Sequence, residues 1–262
     1  REVFLDPIPI FVFHLGRAES FSPAAIGAFA ALGNVTVADL GASTEMPSAE
    51  SWAGGLGALS KPRAALAGLS RWQSVLLLDA DAVLFQPPSA FFEAVSFRQT
   101  GLALWRDYHP CFTSLSPSLL QRMHINSTAF CAATRRQESD ASAVVVGGLL
   151  GHTVEKSRCA AAAAVAVCEH DGENRGDSTS RGDLHAQKLM LGDKDSWAIG
   201  AALCGMGVES SVNAYPPGAF AVNQPSQQHR GGGSTTASER GVMIAIFNGH
   251  LQFDQEGQPL YW

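Results

Sequence analysis

The stretch Ser74-Val75-Leu76-Leu77-Leu78-Asp79-Ala80-Asp81 decides the fold class of this chain. Its apolar residues are continuous rather than alternating, which is typical of a strand buried on both faces, as in a parallel sheet. The strand ends in two acids spaced i, i+2. Ligands of open α/β sheets bind beyond the carboxyl ends of the strands. We therefore expect a cation site at the end of this strand.

Strands and helices are predicted to alternate before this stretch. The strands are expected over residues 8–13 and 35–40. One helix is expected to begin at Ser22, with Pro23 in its first turn, and another to cover residues 59–69. This order indicates an α/β fold with a mostly parallel central sheet flanked by helices. Later strands are expected at 101–105, 143–146 and 242–247, later helices at 153–169, 184–190 and 196–204, and loops at 108–128, 169–183 and 224–240. Because we find no internal repeat and no clean linker, we expect one domain over residues 1–262.

Composition excludes some classes of protein. Hydrophobic residues make up 46% of the 262 residues, which is enough for a sizeable core. The net charge is −6 and no basic block occurs, which argues against a nucleic-acid partner. No apolar run reaches the length of a membrane span.

The five cysteines form no Cys-x-x-Cys pair, so a zinc site of the usual spacing is not expected. An odd number leaves at least one thiol outside any disulfide. Cys159 and Cys168 cannot pair, because nine residues of one predicted helix separate them by about 13 Å. Cys111 can pair with Cys131, or either can pair with the helix. These cysteines and the sequons at Asn34 and Asn126 favour a secretory compartment.

Two enzyme classes place paired acids at such a strand end. Carboxylate oxygens suit Mg²⁺ or Mn²⁺, ions that commonly hold substrate phosphates. One class is the nucleotide-sugar glycosyltransferase of GT-A type, and the other is the haloacid-dehalogenase-like phosphatase, with Asp79 as its nucleophile. The phosphatase requires a second acid about four residues after Gly192-Asp193, where Trp197 and Ala198 stand. It also usually places its nucleophile on the first strand.

Four groups of residues resemble one glycosyltransferase family in order and spacing. Lys61 precedes the strand on a helix, and Pro87-Pro88 with Phe91-Phe92 follows the acids. Residues 140–143 then stand where the family has Glu-Ser-Gly-Gln, without its Glu and Gln. The remaining groups are Gly192-Asp193-Lys194 with Asp195 and Trp197, and, near the end, His250 with Gly257 and Pro259-Leu260. Together they resemble the Golgi α-mannosyltransferases that extend fungal mannan, over about residues 57 to 262.

The resemblance implies a GT-A-like, metal-dependent transferase that moves a hexose onto a glycan or glycoprotein acceptor, with retention. Mannose from GDP-mannose is the expected donor, with Mn²⁺ or Mg²⁺ as cofactor. The full-length protein would be a type II membrane protein of the Golgi lumen, in contact with the membrane only through a segment missing from this chain. A UDP-sugar donor and a catalytically silent glycan-binding relative remain alternatives.

The resemblance also assigns roles to individual residues. The metal would be held by Asp79, Asp81 and His250, with Asp79 also placed near the donor ribose. Asp193 and Lys194 would act at the donor sugar and the leaving diphosphate. The remaining nucleotide contacts would come from Lys61, His14, Gly16 and Asp39. Each has an ordinary alternative: Asp193 can cap a helix, Lys61 can be a solvated helix residue, and His250 a surface histidine.

Overall fold

The computed structural model describes residues 8–14, 21–39, 56–79, 82–113, 115–148, 151–173, 195–213, 217, 221–225, 242–246 and 252–261. The strands of this part are β1 (Ile10–His14), β2 (Val35–Asp39), β3 (Ser74–Leu78), β4 (Leu102–Pro110), β5 (Gln137–Gly147), β6 (Ala221–Pro225), β7 (Val242–Ile246), β8 (Gln252–Phe253) and β9 (Pro259–Tyr261). Its helices are α1 (Pro23–Ala31), α2 (Leu56–Leu69), α3 (Val95–Thr100), α4 (Pro117–Arg122), α5 (Ser127–Ala133), α6 (Gly151–Glu173), α7 (Ser196–Leu203) and α8 (Val208–Ser211), with a 3-10 helix at Pro88–Glu93.

The fold is mixed α/β, as expected, but the expectation of a mostly parallel central sheet is not confirmed. The three-stranded sheet has the order β3-β5-β4, and β5 runs antiparallel to both neighbours. The parallel pairing in the described chain joins β1 to β2. Because β3 and β4 run the same way on either side of β5, their carboxyl ends lie at the same edge of the sheet, although β3 ends opposite Ala143 while β4 continues along β5 to Gln137. We call this edge the carboxyl edge of the sheet.

Both faces of the three-stranded sheet are covered by apolar side chains. On β5, Val144 and Val146 point into one core, while Ala143 and Val145 point into the other. Helices α2, α6 and α7 cover the first face. The second face packs against aromatic residues of the 3-10 helix, α3 and β9 (Phe91, Phe97, Tyr261). The continuous apolar run of β3 is explained by this two-sided burial.

The β1-α1-β2 segment follows the predicted order closely. Helix α1 begins after Ser22, whose side chain accepts a hydrogen bond from the backbone N–H of Ala25 at 3.2 Å. Gly33, with φ of 73°, ends the helix and leads into β2. The ring centroid of Phe11 on β1 lies 4.4 Å from that of Trp72, two residues before β3.

The segment 108–128 was expected to be a loop, and this expectation is wrong in part. Strand β4 continues to Pro110, and α4 follows with Ser116 as its N-cap and Pro117 in its first turn. Helix α5 begins after Asn126, whose side chain accepts from the N–H of Ala129 at 2.9 Å. These are ordinary helix-start signals that were present in the sequence.

Two disulfides are present, Cys111–Cys131 and Cys159–Cys204, with Cα–Cα distances of 5.8 and 5.9 Å. The first is one of the pairings left open by the sequence, and the second joins α6 to the end of α7. Cys168 is buried and lies outside both bridges. The expectation that Cys159 and Cys168 do not pair is confirmed.

Several expectations lie outside the described residues, including the helix at 184–190 and most of the loop at 224–240. The strand expected at 242–247 is confirmed as β7, and the helix expected at 196–204 as α7. No helix of the described chain combines the length and apolar character that a membrane crossing needs. The single-domain organisation stays a prediction.

Candidate functional site at the carboxyl edge of the sheet

Lys61 and Asp79 form an ion pair at the carboxyl edge. The Nζ atom of Lys61, on α2, lies 2.5 Å from Oδ1 of Asp79, directly after β3. Their side chains are 21% and 34% exposed, so the pair is reachable from solvent without being fully solvated. Helix α2 packs against β3, and this packing carries the lysine to the strand end. A cation and a carboxylate held in this way can face the charged groups of a ligand.

A second pair of side chains, a histidine and an aspartate, lies at the carboxyl end of the parallel β1-β2 ladder. His14 and Asp39 are register partners at the last positions of the two strands. Nδ1 of His14 lies 3.7 Å from Oδ1 of Asp39, an ion-pair contact when the imidazole is protonated but too long for a hydrogen bond. The imidazole also packs edge-on against Phe21 with 5.7 Å between centroids. The two residues assigned to nucleotide contacts are thus brought together.

The other predicted site residues fall outside the described chain, and their roles stay predictions. They are Gly16, Asp81, Asp193, Lys194 and His250. In the sequence, Asp81 follows Asp79 by two positions, and Lys194 directly precedes Asp195.

Asp195 is a buried residue of this edge that the sequence did not single out by itself. It is fully buried at the N-terminus of α7, yet its side chain does not cap the helix. Its Oδ1 atom accepts hydrogen bonds from the backbone N–H of Ser139 at 3.0 Å and from the Ser139 hydroxyl at 3.2 Å. The carboxylate therefore joins α7 to the amino end of β5.

A second acidic group lies further along the same edge. Asp107 and His109 belong to β4, and Glu138 belongs to β5; one ligand atom from each lies within 4.8 Å of the others. Asp107 and Glu138 are 3% and 1% exposed, while the His109 side chain is 51% exposed. Nothing in the sequence alone pointed to Glu138.

Two arginines add positive charge near this edge. Burial lowers the pKa of Arg106 from its ordinary value, and the neighbouring charge of Arg135 lowers it further. Arg135 and Arg136 both have positive φ, at 57° and 63°. Two successive non-glycine residues with positive φ cost free energy. The turn between α5 and β5 is therefore held in this conformation by contacts with its surroundings.

A cleft of about 690 Å³ opens between α3, α8 and the β8-β9 hairpin. Trp105 lies at its wall but is completely buried, so this residue is part of the core. Four acids and one arginine are among the lining residues: Glu93, Glu209, Asp254, Glu256 and Arg135. The excess of negative charge makes the cleft unfavourable for a diphosphate and compatible with neutral hydroxyl groups.

Comparison with known proteins points to the same part of the chain. Residues 58–157 match the model of a family described as "Mannosyltransferase putative". The match supports a mannosyltransferase-like protein. The matched segment contains Lys61, Asp79, Asp107, His109 and Glu138. This similarity supports a glycosyltransferase type of function with a sugar donor and a sugar acceptor. No curated protein matches the chain.

Proposed function

We propose that the chain is a metal-dependent, retaining glycosyltransferase that transfers mannose from GDP-mannose to a glycan or glycoprotein acceptor in the Golgi lumen. The observation that carries the proposal is the Lys61–Asp79 ion pair at the end of a buried strand, inside the segment that matches a mannosyltransferase family. Its position fits the rule that ligands of α/β proteins bind at the carboxyl ends of strands.

One described residue, Asp79, offers a ligand to a hard divalent cation at the donor site. The Asp79 carboxylate is partly exposed at a strand end, and carboxylate oxygens are the ligands that Mn²⁺ and Mg²⁺ prefer. Asp81 and His250 would complete the ligand set. When bound, the cation would neutralise negative charge on the donor diphosphate.

The protein groups have defined tasks in the transfer. In the reaction, the bond between the anomeric carbon and the β-phosphate oxygen breaks, and a bond to the acceptor oxygen forms. Lys61 and Lys194 would offset the charge that develops on the leaving GDP. Asp193 would bind donor-sugar hydroxyls, and the leaving phosphate would take the acceptor proton. The acidic cleft beside Glu209 and Glu256 offers carboxylates to the hydroxyls of a neutral acceptor.

A donor panel tests this proposal. Thermal unfolding is measured with GDP-mannose, UDP-glucose and UDP-galactose, each with and without Mn²⁺. A ligand at 100 times its Kd stabilises the fold by about 2.7 kcal/mol, a shift of a few degrees for a chain of this size. We expect a Mn²⁺-dependent shift with GDP-mannose, followed by transfer to an α-mannoside. The shift should be lost in Asp79→Asn and kept in the exposed control Glu155→Gln.

Other outcomes would replace the proposal. A shift with a UDP-sugar alone would change the donor. No nucleotide-sugar shift, together with Mg²⁺-dependent hydrolysis of a phosphate ester and a trapped phospho-Asp79, would indicate the phosphatase. Binding of a free glycan without any donor turnover would indicate a silent glycan-binding protein.

A further inference from the structure

Two acidic side chains and one histidine converge where β4 and β5 run side by side. Arg106 and Ser139 are register partners on these strands, and the next residues along are Asp107 on β4 and Glu138 on β5. His109 follows two positions later on β4, with Nδ1 at 2.9 Å from Oδ1 of Asp107. One ligand atom from each of the three lies within 4.8 Å of the other two. This set combines two carboxylates with an imidazole.

Burial makes this set unlike an ordinary surface cluster. Asp107 and Glu138 are at least 97% buried, and they approach each other in a region of low dielectric. Backbone N–H groups replace part of the water that the two buried carboxylates have lost. The N–H of His109 donates to Asp107 at 3.2 Å, and the N–H of Leu115 donates to Glu138 at 3.0 Å. Buried carboxylates in proteins are commonly paired with a cation or coordinate a metal, and these two present oxygen atoms to the same space as a nitrogen of His109.

We infer that Asp107, His109 and Glu138 bind one divalent first-row transition-metal ion, such as Zn²⁺ or Mn²⁺. Imidazole nitrogen favours these ions over Mg²⁺ and Ca²⁺, which take oxygen ligands almost exclusively. Three protein ligands also leave a coordination position for water, as in many zinc sites. The half-exposed His109 provides a route for the ion from solvent.

Neighbouring links hold the three ligands in place before the ion arrives. Cys111, two residues after His109, is bonded to Cys131 on α5. Ser139, next to Glu138, is hydrogen-bonded to Asp195 at the N-cap of α7. Ligands whose backbones are fixed in this way lose little conformational freedom when they bind a metal.

This site is separate from the proposed donor site. Leu78, which precedes Asp79, pairs with Ala143 on β5, and Glu138 lies five residues further along that strand. Five residues of extended chain span about 16 Å, too far for one ion to bind both groups. The inference therefore goes beyond the proposed function and does not depend on it.

Metal binding to the double variant Asp79→Asn, Asp81→Asn tests the inference, because this background lacks the two carboxylates of the donor motif. Zn²⁺ stoichiometry is measured by equilibrium dialysis, and the ligand field by the visible absorption of bound Co²⁺, in the absence of nucleotides. We expect one ion per chain. Addition of His109→Ala should raise the Kd at least tenfold and abolish the Co²⁺ spectrum. Mg²⁺ should not compete.

Matched variants separate this result from adventitious binding and from misfolding. His152→Ala removes an exposed histidine on α6 and should leave the Kd unchanged. Glu138→Gln keeps the shape of the buried side chain and should weaken binding as His109→Ala does. An unchanged Kd in His109→Ala, or no bound ion in the background chain, would overturn the inference. If no nucleotide sugar shifts the unfolding temperature in the donor panel, this inference is unaffected, because the metal-binding measurement uses no nucleotide sugar.

Discussion

The carboxylate of Asp195 accepts two hydrogen bonds from Ser139, 56 residues earlier in the chain. Both residues are at least 99% buried. The contact fixes the N-cap residue of α7 against the amino end of β5, beside Glu138. It therefore joins the segment that matches the mannosyltransferase family to the residues that directly follow Asp193 and Lys194.

Removing this contact should lower the stability of the fold. In Asp195→Ala, the buried N–H of Ser139 loses its acceptor, and we expect the free energy of unfolding to fall by about 2–3 kcal/mol. Ser139→Ala removes only the hydroxyl donor and should cost about 1 kcal/mol. Urea denaturation of both single variants and the double variant measures the coupling. Because the residues share one interaction, the double variant should lose less than the sum of the two; strictly additive losses would contradict the direct link.

The pattern of β3 shows what a sequence can predict about a sheet. The continuous run Val75-Leu76-Leu77-Leu78 correctly indicated burial on both faces, since alternate residues enter the two cores. It did not determine the direction of the neighbouring strand. Apolar patterning reports which faces are covered, and an antiparallel partner between two covered faces gives the same pattern. The expectation of a mostly parallel sheet is therefore not confirmed by the described strands.

Lys61 and Asp79, which the sequence singled out by their order around β3, lie together in the structure, and their roles stay predictions. Glu138 could not be found from the sequence, because its partners on β4 lie about 30 residues away. The β4-β5 ladder also contains register shifts between Ala103 and Trp105 and between Arg106 and Pro110. Since a register shift changes which residues face each other, the convergence of Asp107, His109 and Glu138 is visible only in the folded chain.

The disulfide pairing predicts a specific labelling pattern. After denaturation without a reductant, a thiol alkylating reagent should modify only Cys168, because the other four cysteines are in two bridges. After reduction, five sites should react. Peptide mass spectrometry identifies the modified residues. Labelling of Cys111 or Cys159 in the unreduced chain would show that the corresponding bridge is not formed.

The two bridges should contribute unequally to stability. Chain-entropy arguments assign about 3 kcal/mol to Cys111–Cys131, with a separation of 20 residues, and about 4 kcal/mol to Cys159–Cys204, with 45. Replacing each pair by serine and measuring urea unfolding gives the two losses. A larger loss for the Cys111–Cys131 pair would indicate that native-state contacts, rather than loop length, determine the effect.

Close packing of α6 and α7 makes Gly200 sensitive to substitution. A Cβ atom at Gly200 would clash with the backbone carbonyl of Ala160. We expect Gly200→Ala to lower the free energy of unfolding by about 1–3 kcal/mol, because the two helices must move apart. Gly27 on α1 is the control: nothing lies within 4 Å of an added Cβ there, and alanine should stabilise that helix by about 0.5–1 kcal/mol. Urea denaturation should show a lower free energy of unfolding for Gly200→Ala and a higher one for Gly27→Ala. Equal changes in the two variants would mean that the contact with Ala160 does not limit the residue at position 200.

Replacing Lys61 distinguishes a functional ion pair from a structural one. The pair with Asp79 is partly exposed, so its loss in Lys61→Met should change the free energy of unfolding by less than about 1 kcal/mol. If Lys61 offsets charge on the leaving diphosphate, kcat/KM for transfer from GDP-mannose should fall by about 100-fold. Arg71→Met, which removes an exposed cation at the end of the same helix–strand connection, should leave both quantities unchanged. Steady-state kinetics and urea denaturation on the same preparations measure the two effects. If Lys61→Met clearly lowers the free energy of unfolding but leaves kcat/KM unchanged, the ion pair has only a structural role. A charge that only holds α2 against β3 does not stabilise the transition state.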